Sequence, residues 1–191
     1  REINIFALVD LTGDNSSLGR SMKAALDVAA DDFNKSMAES SSDVRVKLTV
    51  EDMQTDSEIA KKKMFELYKA GARIIIGPCT SAGLNAVADD AFRRNVLLIS
   101  PSSTAISFAG KDDAVLRLIL NDSIQAEVLA QAMKKNSKKY LLQFQREDAW
   151  GRELAAAVKT SHEAMGGKVL RRITYLTSSK DYPKELEKLD E

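Results

Sequence analysis

The sequence holds one cysteine, Cys79, and one histidine, His162. A lone cysteine excludes an internal disulfide and leaves the redox compartment unread. One Cys and one His cannot build a His/Cys metal cluster, so no metal or cofactor is expected. Neither sign of charge is in excess, with 28 Lys+Arg against 28 Asp+Glu. That argues against an electrostatic nucleic-acid platform, which needs a basic excess or stripe. The runs Lys61-Lys62-Lys63 and Lys134-Lys135 read as solvated helix faces. No apolar run nears the ~20 residues that span a bilayer. Gly77–Gly83 lacks the Gly-Lys-Ser/Thr of a Walker loop, and no G-x-G-x-x-G follows the first strand. The chain starts on a strand-like run, Ile3 to Val9, and so reads as lacking a signal peptide; a processed mature protein would look the same.

What is present is one arrangement used twice. Ile74-Ile75-Ile76 runs into Gly77-Pro78-Cys79-Thr80-Ser81-Ala82-Gly83, and Val96-Leu97-Leu98-Ile99 runs into Ser100-Pro101-Ser102-Ser103-Thr104. Each is a short apolar run, as in a buried strand, that ends in small residues, proline and hydroxyls. If these strands are parallel neighbours, both loops open at one sheet edge, where open α/β sheets bind small ligands. Free N–H groups and serine hydroxyls there suit a carboxylate or another compact polar group.

Strand and helix patterns alternate along the rest. Ile3–Val9, Arg45–Val50, Lys139–Gln145 and Lys168–Leu176 read as strands, and Ala114–Leu120 as an extended segment after a loop from Ser107 to Asp113. Leu18–Met37 is predicted to be a helix with Met22, Ala25, Leu26, Ala29 and Phe33 inward. Thr55-Asp56-Ser57-Glu58 fits a capping box for a helix that buries Ala60, Met64, Leu67 and Tyr68 and stops at Gly71. Leu84, Val87, Ala88 and Ala91 mark the next helix. Asp122-Ser123-Ile124-Gln125 is read as the cap of a helix carrying Ile124, Val128 and Ala132. Trp150–Met165 is a helix with Leu154, Ala157, Val158 and Met165 inward, ended by Gly166-Gly167, and Tyr182–Leu189 begins another. About seven strands interleaved with helices predict an α/β fold with a mostly parallel sheet. The best boundary is near Asn121, and Lys184–Glu191 stops inside a helical pattern.

In this order the segments resemble the type I periplasmic binding protein family, which includes leucine/isoleucine/valine-binding proteins and the ligand-binding regions of related receptors. The residues that carry the resemblance are Leu11-Thr12-Gly13 with Gly19, Glu51-Asp52-Met53-Gln54-Thr55-Asp56, Ile76-Gly77-Pro78, Ile99-Ser100-Pro101-Ser102-Ser103-Thr104 and Asp148-Ala149-Trp150-Gly151. The resemblance implies two Rossmann-like parallel-sheet lobes joined by a hinge, in proteins about twice this length. Residues 1–120 would be most of the first lobe, and residues 121–191 the opening part of the second, both incomplete.

It also implies where a ligand would sit, in a cleft between lobes. Ser81 and Ala82 match the start of a helix whose N–H groups and serine hydroxyl take a ligand carboxylate; Ser81 is equally a plain helix N-cap. The family often has a second serine at Ala82, so one side-chain donor is absent. Ser102, Ser103 and Thr104 match a loop that contacts an α-ammonium and a carboxylate, or form an ordinary polar loop after a Ser-Pro turn. Leu18 matches a position that covers the ligand, or is a helix-start staple. Trp150 matches an aromatic facing the cleft from the second lobe, or is packing. Asp148 reads first as a helix cap, and second as a partner for a ligand ammonium. Cys79 and His162 could pair as nucleophile and base only on paper, since His162 is read as facing solvent on a distant helix.

The expected function is therefore not enzymatic. It is extracytoplasmic binding of an amino acid or similar small polar ligand for ABC-type transport or sensing, with a membrane permease or sensor as partner, with or without a lipid anchor. Two readings compete with it. One is a binding-protein-like interaction module that has no small-molecule ligand, as in regulatory envelope lipoproteins. The other is an α/β enzyme using Cys79.

Overall fold

Seven strands, six α-helices and one short 3-10 turn alternate along the chain in a computed structural model that describes residues 1–111, 113–179 and 181–187. They form two compact units, Arg1–Ser103 with Lys111–Ile119, and Thr104–Gly110 with Leu120–Glu191. No helix among the described residues is long and apolar enough to cross a membrane.

The first unit is built on strands β1 (Glu2–Val9), β2 (Arg45–Asp52), β3 (Ile74–Ile76), β4 (Leu97–Ser100) and β5 (Val115–Arg117). They pair in the order β2-β1-β3-β4-β5, and every pairing is parallel. Parallel strands need crossovers, and helices α1 (Ser16–Glu39), α2 (Ser57–Lys69) and α3 (Ser81–Arg93) supply three of them. Leu8, Ile75 and Leu98 of the sheet are sealed with Met64 and Leu67 of α2 and Leu84, Val87 and Ala91 of α3. Each of these side chains larger than alanine contributes roughly 1.5–3 kcal/mol on burial. The chain steps from β1 outward to β2, then crosses back to β3 on the other side of β1. The crevice at the C-terminal ends of β1 and β3 is thus the switch point of the sheet.

Two local expectations for this unit need correction. Thr55 does not cap α2. Asp56 does, its Oδ1 accepting from the N–H groups of Glu58 at 2.8 Å and Ile59 at 2.9 Å. Thr55 instead takes a left-handed φ of 55°, and its Oγ1 accepts from Asn15 N–H at 3.1 Å. The apolar face of α1 is also rotated: Ala25, Ala29 and Phe33 are exposed, while Met22, Leu26, Ala30, Asn34 and Met37 are half-buried. Asn34 sets that rotation by donating to the Val46 carbonyl at 2.9 Å and accepting from Val46 N–H at 2.7 Å.

The second unit holds the 3-10 turn Ile106–Phe108, helices α4 (Asp122–Lys135), α5 (Ala149–Ala164) and α6 (Tyr182–Glu187), and the parallel pair β6 (Tyr140–Arg146) and β7 (Lys168–Tyr175). Leu189, expected in the last helix, lies outside the described residues. The face of α4 expected inward is outward: Ile124, Val128 and Ala132 are exposed, and Asp122, Ala126 and Ala130 are buried. Alanines on this face let α4 lie close against α5, which larger side chains would prevent. Its cap is Asn121, whose Oδ1 accepts from Ser123 N–H at 2.9 Å. His162 is buried too, not solvent-facing; its Nε2 lies 3.1 Å from the Lys139 carbonyl. Under α5, Gln143 donates to the Ala155 carbonyl at 2.8 Å and accepts from Arg172 Nε at 3.1 Å.

Gly19, the one buried residue of α1, fixes how that helix meets β1. A Cβ there would lie 2.0 Å from the Asp10 carbonyl oxygen. On an isolated helix Gly→Ala stabilises by about 1 kcal/mol. Gly19→Ala is expected to do the reverse and lower the thermal midpoint, at a cost of about 1–3 kcal/mol from overpacking. A midpoint equal to or above that of the parent chain would contradict this packing.

Candidate functional site

The β3 and β4 loops open at one edge of the first unit because their strands are parallel neighbours, with Ile74, Ile75 and Ile76 opposite Leu97, Leu98 and Ile99. Gly77 begins the first loop with a left-handed φ of 107°, and a Cβ on it would lie 2.0 Å from the Leu8 carbonyl oxygen. Only glycine lets the chain leave β3 so close to β1. Its N–H donates to the Ile99 carbonyl at 2.8 Å, the last rung before the loops.

Beyond that rung, hydroxyls replace the ladder. Ser100 Oγ donates to the Pro78 carbonyl at 2.6 Å and accepts from Ser103 N–H at 3.3 Å. Ser102 Oγ donates to the Cys79 carbonyl at 2.6 Å. Ser81 Oγ and Ser103 Oγ lie 3.0 Å apart, both buried. One hydroxyl of that pair donates to the other, so one proton is left for a further acceptor. Thr80, not Ser81, caps α3, its Oγ1 accepting from Gly83 N–H at 3.1 Å. This leaves Ser81 free of capping and puts the Ser81 and Ala82 N–H groups at the open start of the helix, with no acceptor among the described residues. The first N–H groups of a helix carry partial positive charge and suit an anion.

The structure thus brings Ser81, Ala82, Ser102 and Ser103 together in the first unit. Leu18, in the first turn of α1, is 40% exposed. The other two candidates belong to the second unit. Thr104 Oγ1 donates to Asp122 Oδ2 at 2.8 Å while the Thr104 carbonyl accepts from Asp122 N–H at 2.9 Å. Trp150 opens α5 with the Arg146 guanidinium 4.9 Å from its ring, and Asp148 caps the helix by accepting from Gly151 N–H at 2.7 Å and pairs with Arg146.

Sequence reasoning passed over Asp10, the residue after β1. It is fully buried, and neither carboxylate oxygen has a hydrogen-bond partner among the described residues. Burial pushes its carboxyl up, approach of the Thr55 hydroxyl and N–H pulls it back only part of the way, and the Asp52 charge raises it further. An acidic residue closing a run of four buried strand residues was the signal available. Asp52 nearby behaves oppositely. Burial raises it, but donation from Thr12 Oγ1 and from the Gln54, Thr12 and Leu11 N–H groups brings it below the usual carboxylate range.

Cys79 is 1% exposed. Burial, and then the Asp10 charge, push its thiol up to about 12. A nucleophilic cysteine needs a lowered pKa and access, and this one has neither. His162 belongs to the second unit and holds the Lys139 carbonyl there.

The family model described as "Periplasmic binding protein" matches residues 2–191. The Leu/Ile/Val-binding protein BraC3 of Rhizobium johnstonii is 29% identical over 170 residues, which is 86% of this chain and 45% of that protein. Two solved structures share the fold with a TM-score of 0.84. The leucine binding protein LivK of Thermotoga maritima is 22% identical over 98% of this chain and 53% of its own. A solute binding protein of an ABC transporter from Rhodopseudomonas palustris, in complex with 3,4-dihydroxy benzoic acid, is 17% identical over 98% of this chain and 51% of its own. The chain spans about half the length of these relatives.

Two outcomes test the local geometry. Ser100→Ala removes the donor to Pro78 and the acceptor of Ser103 N–H, and is expected to cost about 1–3 kcal/mol in denaturant unfolding; an unchanged midpoint would contradict the lock. Cys79 in the folded chain should react with a disulfide reagent at pH 8 at least ~1000-fold more slowly than in denaturant, since its thiolate is scarce and covered. Equal rates would place the thiol in solvent.

Proposed function

Because the chain belongs to the periplasmic binding protein family, we propose that it supplies the carboxylate-binding part of an extracytoplasmic solute-binding protein for ABC-type transport, with a branched-chain amino acid as ligand. The observation that carries this reading is the start of α3. The Ser81 and Ala82 N–H groups lie there without a protein acceptor, beside the buried Ser81–Ser103 hydroxyl pair with its one uncommitted proton. A carboxylate satisfies all three donors and gains from the helix dipole. Ser102 and Thr104 already donate to Cys79 and Asp122, so they would meet a ligand through their backbone.

The amino-acid preference rests on the relatives' specificities, leucine, isoleucine and valine. The dihydroxybenzoate complex sharpens what the first unit reads. That ligand and an amino acid have a carboxylate in common but not an α-ammonium. The start of α3 would therefore recognise the shared group, and selection among side chains would come from other residues. A membrane permease is the partner of such a protein. The relatives are binding proteins, and with the thiol covered and hard to ionise they speak against the Cys79 enzyme. They give the ligand-free interaction module no support.

Isothermal titration of the 191-residue chain with leucine, isoleucine, valine and 3,4-dihydroxybenzoic acid is expected to give saturable heat with at least one. Replacing the carboxylate of that ligand by a carboxamide should weaken binding by roughly 1.5–3 kcal/mol, the worth of hydrogen bonds to a charged group, or about tenfold or more. No heat with any of the four, or equal affinity for acid and amide, would overturn the reading.

A further inference from the structure

Asp10 is not used by the carboxylate site, and it sits where three segments meet at the sheet's switch point. The β1–α1 segment contributes Asp10 itself, with α1 pressed on its carbonyl at Gly19. The end of β2 contributes Asp52, and the loop after it Thr55. The β3–α3 loop contributes Cys79, whose sulfur takes the Asp10 backbone N–H and feels its carboxylate charge. The Asp10 carboxyl is sealed from solvent, and neither oxygen has a hydrogen-bond partner among the described residues. The groups bearing on it are Asp52, an anion; Cys79, a thiol; and Thr55, a hydroxyl and N–H. From α1, Arg20 is directed elsewhere, to the Leu11 carbonyl at 3.4 Å, and Met22 lies against the Cys79 sulfur. A carboxylate in that enclosure has like charge beside it and no cation among the described residues.

We infer that Asp10 is a proton-dependent latch on the loops at the binding edge. Neutral, it stays sealed among the three segments. Ionised, it draws them open towards water. The loops it joins include the one that leads into Ser81 and Ala82, so this inference rests on the proposed function for its consequence: ligand is held more tightly at mildly acidic pH than at neutral or basic pH. The sign follows from linkage. The closed form keeps its proton to higher pH than the open form does, so closure loses stability as pH rises from the ordinary aspartate range to the pKa of the buried group, and stays weakened above it.

Hydrogen exchange of the ligand-free chain tests the latch without reference to any ligand. After correction for intrinsic rates, amide protection in residues 10–16, 52–56 and 77–84 should fall by up to about tenfold per pH unit above the ordinary aspartate pKa until Asp10 titrates in place. Asp10→Asn should lose that slope and be at least as protected as the parent chain at pH 8. Equal slopes in the two chains, or none in the parent, would overturn the proposal. Should Asp10→Asn not fold, a carbon-13 titration of the Asp10 carboxyl in the parent chain decides it. A midpoint above ~4 supports the latch, and one at or below ~4 overturns it. Leucine affinity should fall between pH 5 and pH 8 in the parent and not in Asp10→Asn; absence of leucine binding at any pH would count against the proposed function, and the exchange result would still decide the latch.

Discussion

Parallel strands end in carbonyl and N–H groups that have no further rung, and at the C-terminal edge of the first unit those groups are taken over by side-chain hydroxyls. Ser100 and Ser102, leaving β4, donate to the Pro78 and Cys79 carbonyls leaving β3. This crosslink is what the rest of the edge depends on. It holds the β3 loop in the course that delivers Thr80 as the cap of α3. With the cap assigned to Thr80, Ser81 is left to face Ser103 and the first N–H groups of α3 are left open. A buried polar group without a partner costs about 1–3 kcal/mol, so a cluster this hidden persists because its hydroxyls satisfy one another. The uncommitted donors that remain are those an anion would fill.

The fold was legible because its signals are periodic. Three consecutive isoleucines and the Val96–Ile99 run mark central strands, in which Ile75, Val96 and Leu98 are sealed while Ile74 is exposed and Ile76, Leu97 and Ile99 are half-buried, and the Leu84, Val87, Ala88 and Ala91 spacing marks the helix between them. What periodicity does not report is which of several eligible groups wins a local competition. Thr55 and Asp56 are both good caps, as are Thr80 and Ser81, and the backbone angles at Thr55 and the strand exit at Gly77 decide between them. On α4 the larger apolar residues were expected inward, yet Ala126 and Ala130 are buried, because close approach to α5 favours small side chains over large ones. His162 looked like a solvent residue by its type and is held inside by one carbonyl.

The site was legible in part for the same reason. Hydroxyl-rich strand ends announce themselves, so the clustering of Ser81, Ala82, Ser102 and Ser103 at one edge is readable from the sequence. Thr104 and Trp150 carry contacts within the second unit, to Asp122 and Arg146. Asp10 has no motif around it. Its importance comes from what is missing among the described residues, a cation beside a sealed carboxyl that only Thr55 approaches as a donor, and an absence of that kind exists only in three dimensions. The family match gives these features a common setting.

The most direct test of the central claim is to watch the two helix-start amides themselves. In a nitrogen-15 amide spectrum of the chain titrated with leucine, the Ser81 and Ala82 signals are predicted to move downfield together and saturate, as N–H groups do on hydrogen bonding to a carboxylate. Saturating shifts confined to other segments, with Ser81 and Ala82 unmoved, would contradict it.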